Sequence, residues 1–170
     1  MKKLFIGLII GLCIPPVAGY FFLILGGMPV ATKGPALPLE KFVARTAIHA
    51  AMKGQSDLKS PIEHDETNLQ GGVKIYKMNC AVCHGLPKSQ ETAIAKGLFP
   101  RPPQLFGDET VTDDPVGKIY WKVKNGIRLT GMPGFVDTLT DTEIWQVSLL
   151  LQSADKLSDT LNAELSAKKE

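Results

Sequence analysis

The sequence predicts an all-α protein in which one long apolar helix precedes a small helical domain. Apolar residues recur at helical spacing, capping signals begin several segments, and no segment alternates between polar and apolar residues as a half-buried strand does. The first helix is predicted from the 29 uncharged positions from Leu4 to Thr32. A length of 170 residues suits one modest domain with an appendage.

Residues 1–32 are predicted to be a membrane anchor. As a helix, Leu4–Leu25 would extend about 33 Å, enough to cross the hydrocarbon core of a bilayer. A signal peptide is the alternative, but its apolar part is only about 7–15 residues long and the cleavage site here fits poorly. Lys2 and Lys3 favour a cytoplasmic N-terminus, so we expect the rest of the chain to lie outside the cytoplasm.

The remaining chain is predicted to have three parts. Residues 33–68 are expected to form a linker with one short helix, Leu39–Met52, near the membrane surface. Residues 69–152 are expected to form the working domain, and residues 153–170 a polar tail that frays or continues as a loose helix. Within the working domain, helices are predicted at about Leu69–Cys80 with Asn68 as its cap, at Lys88–Lys96, at 115–125 and at 140–152.

The charge of the chain excludes one class of function. Its 19 basic and 17 acidic residues leave a formal charge of +2. A nucleic-acid-binding protein would show a clustered basic excess, so we expect no nucleic-acid partner. The three cysteines cannot all pair within the chain, so they do not form a disulfide framework.

One motif points to a cofactor. Cys80-Ala-Val-Cys83-His84 is the attachment signature of c-type haem. Two thiols three positions apart lie on nearly the same face of a helix end, where they can form thioether bonds with the two vinyl groups of one haem. The imidazole of His84 can then bind the iron. A single motif of this kind predicts one haem.

Two other readings of the same cysteines are weaker. A thiol-redox pair also has the Cys-x-x-Cys spacing, but it needs a βαβ context that is missing here. A zinc site would need two more ligands at suitable spacing. The other histidines and cysteine of the chain are His49, His64 and Cys13, the first two outside the working domain and the third in the apolar stretch.

Met132 is the candidate for the sixth position of the iron. It lies in Gly131–Gly134, where two glycines and a proline predict a tight loop that presents the thioether. An apolar side chain in such an exposed type of turn needs a reason. Together with its position after the next helix, this favours Met132 as the second axial ligand, opposite His84.

These residues resemble the class I cytochromes c, and the likeness covers about half the chain. Gly72 and Tyr76 stand where the family has a glycine and an aromatic residue that pack the first helix across the last. By that resemblance Val147 and Leu150 face them. The resemblance also implies that the carbonyl of a proline accepts the N–H of His84, and either Pro102 or Pro103 fits this role.

The resemblance implies a function. His/Met ligation leaves little room for substrate chemistry and raises the reduction potential. We therefore expect a one-electron carrier, not itself an enzyme, anchored in a bacterial inner membrane with the haem domain in the periplasm. Its partners would be a redox donor and acceptor in a respiratory or dehydrogenase complex. Four basic residues near Met132 are either a solvated helix face, which the sequence favours, or a guide for an acidic partner: Lys118, Lys122, Lys124 and Arg128. The alternative is a haem-based sensor or catalytic cytochrome subunit with a labile sixth ligand.

Overall fold

The structure, a computed structural model, describes residues 2–167. Its chain divides into two compact units, one ending at Lys41 and the other beginning at Phe42. The described residues contain helices and no strands, which confirms the all-α prediction. The α-helices are α1 (Lys2–Ile24), α2 (Glu40–Ala51), α3 (Glu66–Ile75), α4 (Ala81–His84), α5 (Ala93–Gly97), α6 (Val116–Asn125), α7 (Asp141–Gln152) and α8 (Asp159–Ser166), with a 3₁₀ turn at Gln55–Asp57 and a π-helical turn at Tyr76–Cys80.

The first unit is dominated by α1. This helix has 23 residues, with Pro15 and Pro16 inside it and none of its residues buried. Its mean hydropathy reaches 2.1 over an 18-residue window. By length and composition it is a candidate for a single membrane span, as the sequence predicts.

The core of the second unit forms where α3 crosses α7. Gly72 of α3 lies so close to α7 that a Cβ there would be 2.5 Å from the backbone oxygen of Gln146. Glycine is needed at this crossing because any side chain would meet backbone rather than a flexible group. Val147 and Leu150 of α7 and Tyr76 beyond α3 are fully buried in the same cluster.

Helices α6 and α7 begin and end as predicted. A capping box joins Thr140 and Glu143 at the start of α7, which satisfies free N–H groups of the first turn. Gly126, with φ of 67°, ends α6. The ring of Tyr120 in α6 stacks on that of Trp145 in α7, with 4.0 Å between centroids.

Two helix starts differ from the prediction. Helix α3 begins at Glu66 because the side chain of Asp65, and not that of Asn68, caps it by accepting from the Asn68 N–H. Both residue types favour the cap position, so the choice depends on the tertiary position of the preceding segment. The helix expected from Lys88 begins only at Ala93, where Thr92 caps it.

Part of the expected linker packs on the working domain. At Gly117 in α6 a Cβ would lie 2.1 Å from the backbone oxygen of Gln55, so the 3₁₀ turn lies directly on this helix. The imidazole Nε2 of His64 lies 2.6 Å from the hydroxyl of Ser153 at the end of α7. The segment between α2 and α3 is therefore held by specific contacts with the helical core.

The C-terminal segment does not fray within the described residues. Ser158 caps α8, and Leu161 and Leu165 are buried in the cluster that contains α3 and α7. The Nζ of Lys77 donates to the backbone oxygen of Glu164 at 2.6 Å. The sequence prediction was misled by the polar composition of this segment. Its two leucines are four positions apart and therefore share one helix face.

Replacing Leu165 by alanine tests this packing. Because the side chain is fully buried, we expect the free energy of unfolding to fall by about 2–4 kcal/mol. Thr160→Ala, an exposed position of the same helix, is expected to change it by less than about 0.5 kcal/mol. Denaturant titration of both variants checks the difference, and equal small effects would show that α8 contributes little.

Candidate haem-binding site

The π-helical turn and α4 present the motif residues to a cleft. Tyr76 begins the turn, and its hydroxyl donates to the backbone oxygen of Gly85 at 2.7 Å. Its ring meets that of Phe106 edge-on, with 4.8 Å between centroids. Burial raises the pKa of Tyr76 far above its usual range, so the hydroxyl stays a donor. This contact ties both ends of the motif segment to the core.

The cleft is apolar and large enough for a cofactor. About 790 Å³ of space outside the protein atoms lies within and at the mouth of this cleft, which is open to solvent. Cys80, Cys83, His84 and Met132 all line it. Its other walls include the side chains of Leu98, Leu105, Val123, Ile127, Phe135 and Leu151.

The structure selects one of the two candidate prolines. The Nδ1 of His84 lies 2.8 Å from the backbone oxygen of Pro103, whereas the carbonyl of Pro102 accepts from Gln104 at 3.4 Å. Burial lowers the pKa of His84, and the bond to Pro103 partly opposes this. A neutral imidazole that donates from Nδ1 keeps the lone pair of Nε2 available for a metal.

The Cys80 thiol does not have the character of a reactive redox thiol. Burial, with a smaller effect of the neighbouring Cys83, raises the pKa of the Cys80 thiol to about 12. Redox-active thiols instead have lowered pKa values, because the thiolate is the reactive form. Within residues 2–167, no group of three or more His, Cys, Asp or Glu side chains is placed to hold a metal ion such as zinc.

The loop Gly131–Gly134, which carries Met132, is hydrogen-bonded to the segment that follows α6. The Ile127 N–H donates to the Met132 carbonyl at 3.1 Å, and the Met132 N–H donates to the Thr130 hydroxyl at 3.1 Å. That hydroxyl in turn donates to the Ile127 carbonyl at 2.6 Å. A Cβ at Gly126 would lie 2.4 Å from the backbone nitrogen of Gly134, so the two ends of the loop touch.

Thr130 is a positioning residue that the sequence analysis did not single out. Its signal was its place two residues before Met132, where a Thr hydroxyl can bond to a nearby backbone N–H.

The basic residues near this loop are partly neutralised. Lys122 pairs with Asp114 at 2.8 Å, and Lys124 with Asp141 at 3.1 Å. Because two of these four basic residues already have acidic partners, the local positive charge is smaller than the sequence indicates.

The second unit of the chain is similar to proteins of known family. Residues 67–149 match the family described as cytochrome c oxidase, cbb3-type, subunit III, whose domain is of the class I cytochrome c type. No curated protein matches the chain. A solved chain in the reducing HAO-like protein complex of Kuenenia stuttgartiensis is similar at 24% identity and a TM-score of 0.49, over 58% of this chain. The match spans about half, 48%, of that longer chain.

Proposed function

Because residues 67–149 form a class I cytochrome c-type domain, an electron-transfer domain, we propose that this protein is a membrane-anchored one-electron carrier with a single covalent haem c. The observation that carries this proposal is the convergence of two thiols, one imidazole and one thioether on a single apolar cleft. These groups are the attachment and axial ligands that haem c takes, so the residues present fit the cofactor.

Each residue has a defined role in the proposed site. Cys80 and Cys83 would hold the haem through thioether bonds, while His84 and Met132 would bind its iron. The Pro103 carbonyl fixes the tautomer and ring orientation of His84 and increases its basicity as a ligand. When bound, the haem supplies reversible one-electron exchange between ferric and ferrous iron.

The loop contacts favour an electron carrier over a sensor or a catalytic haem protein. A sensor requires the sixth ligand to leave, whereas the Thr130 hydrogen bonds and the touching loop ends hold Met132 in the cleft. If His84 and Met132 both bind the iron, no iron position would remain for a substrate. The apolar lining of the cleft would limit the access of water to a bound haem.

The anchor and the partners complete the proposal. Helix α1 would span the bacterial inner membrane once, with Lys2 and Lys3 on the cytoplasmic side and the haem domain in the periplasm. Tethering raises the effective concentration of the domain near other membrane proteins. The matching family is described as a subunit of a cytochrome c oxidase, which supports redox partners in a respiratory or dehydrogenase complex.

Spectroscopy of the membrane-extracted protein tests the haem. We expect c-type spectra in the oxidised and reduced forms and one haem per chain in a pyridine haemochrome assay. The double variant Cys80→Ser/Cys83→Ser is expected to lose all haem that survives denaturing electrophoresis. Cys13→Ser, which changes the remaining cysteine, is expected to retain it. Wild-type protein without covalent haem would overturn the proposal.

A further inference from the structure

Helix α2 carries an apolar face that is exposed to solvent. Phe42 and Val43 are 67% and 61% exposed, and Thr46, Ala47 and Ala50 are exposed as well. At 3.6 residues per turn, these five positions fall within one arc of about 140°. Burying large apolar side chains is favourable, so an exposed face of this width needs an occupant.

The contacts of α2 with the rest of the protein involve other residues than those of the apolar face. Ile48 is half-buried, and Met52, which directly follows α2 and lies one turn after Ile48, is 5% exposed. Contact with protein is therefore concentrated at the C-terminal end of α2, and no residue of the helix itself is buried. The apolar face lies away from this contact, because Ile48 is about 100° around the helix from the nearer edge of the arc.

Positive charge accompanies the apolar face. Arg45 lies about 60° beyond the Phe42 edge of the arc, and Lys41 lies on the opposite side of the helix. Residues 33–53 contain four basic residues and one acidic residue, a net +3, although the whole chain is nearly balanced. An apolar face with Lys and Arg on the remaining surface of the helix is the pattern of helices that lie in the interface of anionic membranes.

A short tether keeps α2 near the proposed membrane span. Helix α1 ends at Ile24 and α2 begins at Glu40, and the 15 residues between them reach at most about 50 Å when fully extended. We propose that the exposed face of α2 lies on the anionic lipid surface of the membrane that α1 spans, so that α2 orients the cytochrome c domain. This inference rests on the anchor proposed above.

Cysteine accessibility tests the proposal on the full haem-loaded chain. The variants Ala50→Cys, in the apolar face, and Ala44→Cys, outside it, are matched because both alanines are exposed in the same helix. Each variant is reconstituted into nanodiscs of phosphatidylcholine, alone or with equimolar phosphatidylglycerol, and treated with a water-soluble maleimide. Peptide mass spectrometry then reads the modification of each cysteine separately.

We expect phosphatidylglycerol to slow modification at position 50 about tenfold and to leave position 44 unchanged. Phe42→Ser in the Ala50→Cys background is expected to remove most of this protection. Equal rates in the two lipids at position 50 would overturn the proposal. Protection that depends on the protein-to-lipid ratio would also overturn it, because it would assign the face to a second copy of the chain.

Modification of the native Cys13 tests the membrane anchor independently of the position of α2. Since Cys13 lies within α1, an unmodified Cys13 shows that α1 is inserted whatever α2 does. A modified Cys13 would contradict the anchor itself. Cys80 and Cys83, when they carry haem, do not react with the reagent.

Discussion

Replacing Gly72 by alanine is expected to destabilise the domain by about 2 kcal/mol or more. The new Cβ would lie 2.5 Å from the Gln146 oxygen and 2.9 Å from the Leu150 Cβ. Because the first of these is backbone within α7, neither helix can relieve the overlap by a change of rotamer. The helices must separate, which loosens the core around Tyr76 and the motif segment. Denaturant unfolding of the detergent-solubilised holoprotein measures the loss.

The neighbouring glycine is a matched control. A Cβ at Gly71 would lie 2.7 Å from the end of the Gln146 side chain, which is flexible and can move away. Alanine is favoured over glycine in a helix by about 1 kcal/mol, so Gly71→Ala is expected to be neutral or stabilising. If both variants unfold at the same denaturant concentration, the close crossing at Gly72 does not govern stability.

Met132→Ala is expected to change the electronic properties of the haem and leave its attachment intact. The proposed thioether bonds to Cys80 and Cys83 would not depend on the sixth position, so haem content is expected to stay at the wild-type level. The methionine–iron absorption band at the near-infrared edge of the oxidised spectrum is expected to disappear. Axial ligation sets haem potentials over about 0.8 V, so a fall on the order of 100 mV or more is expected.

Met78→Ala provides the comparison for this experiment. Met78 lies two residues before Cys80 and is 62% exposed, so its replacement removes a thioether near the motif without touching the proposed ligand. We expect the wild-type spectrum and potential in this variant. A Met132→Ala protein that keeps both the band and the potential would refute the axial role of Met132.

The sequence alone determined the features that depend on local chemistry. The end of helix 116–125 at Gly126 and the start of helix 141–152 at the Thr140–Glu143 capping box are set by residues that act within one turn, so they were predictable. The spacing of Cys80, Cys83 and His84 along the chain indicates the type of cofactor without reference to the rest of the fold. The length and composition of α1 likewise predict a candidate membrane span.

Tertiary structure decided what depends on contacts between distant residues. Two adjacent prolines have the same local pattern, and only the path of the loop brings the carbonyl of Pro103 to His84. The place of α8 in the core depends on Leu161 and Leu165 meeting residues about ninety positions earlier, and periodicity within a short polar tail does not specify such a partner. Caps and covalent spacings act locally, whereas burial depends on which surfaces meet once the chain has folded.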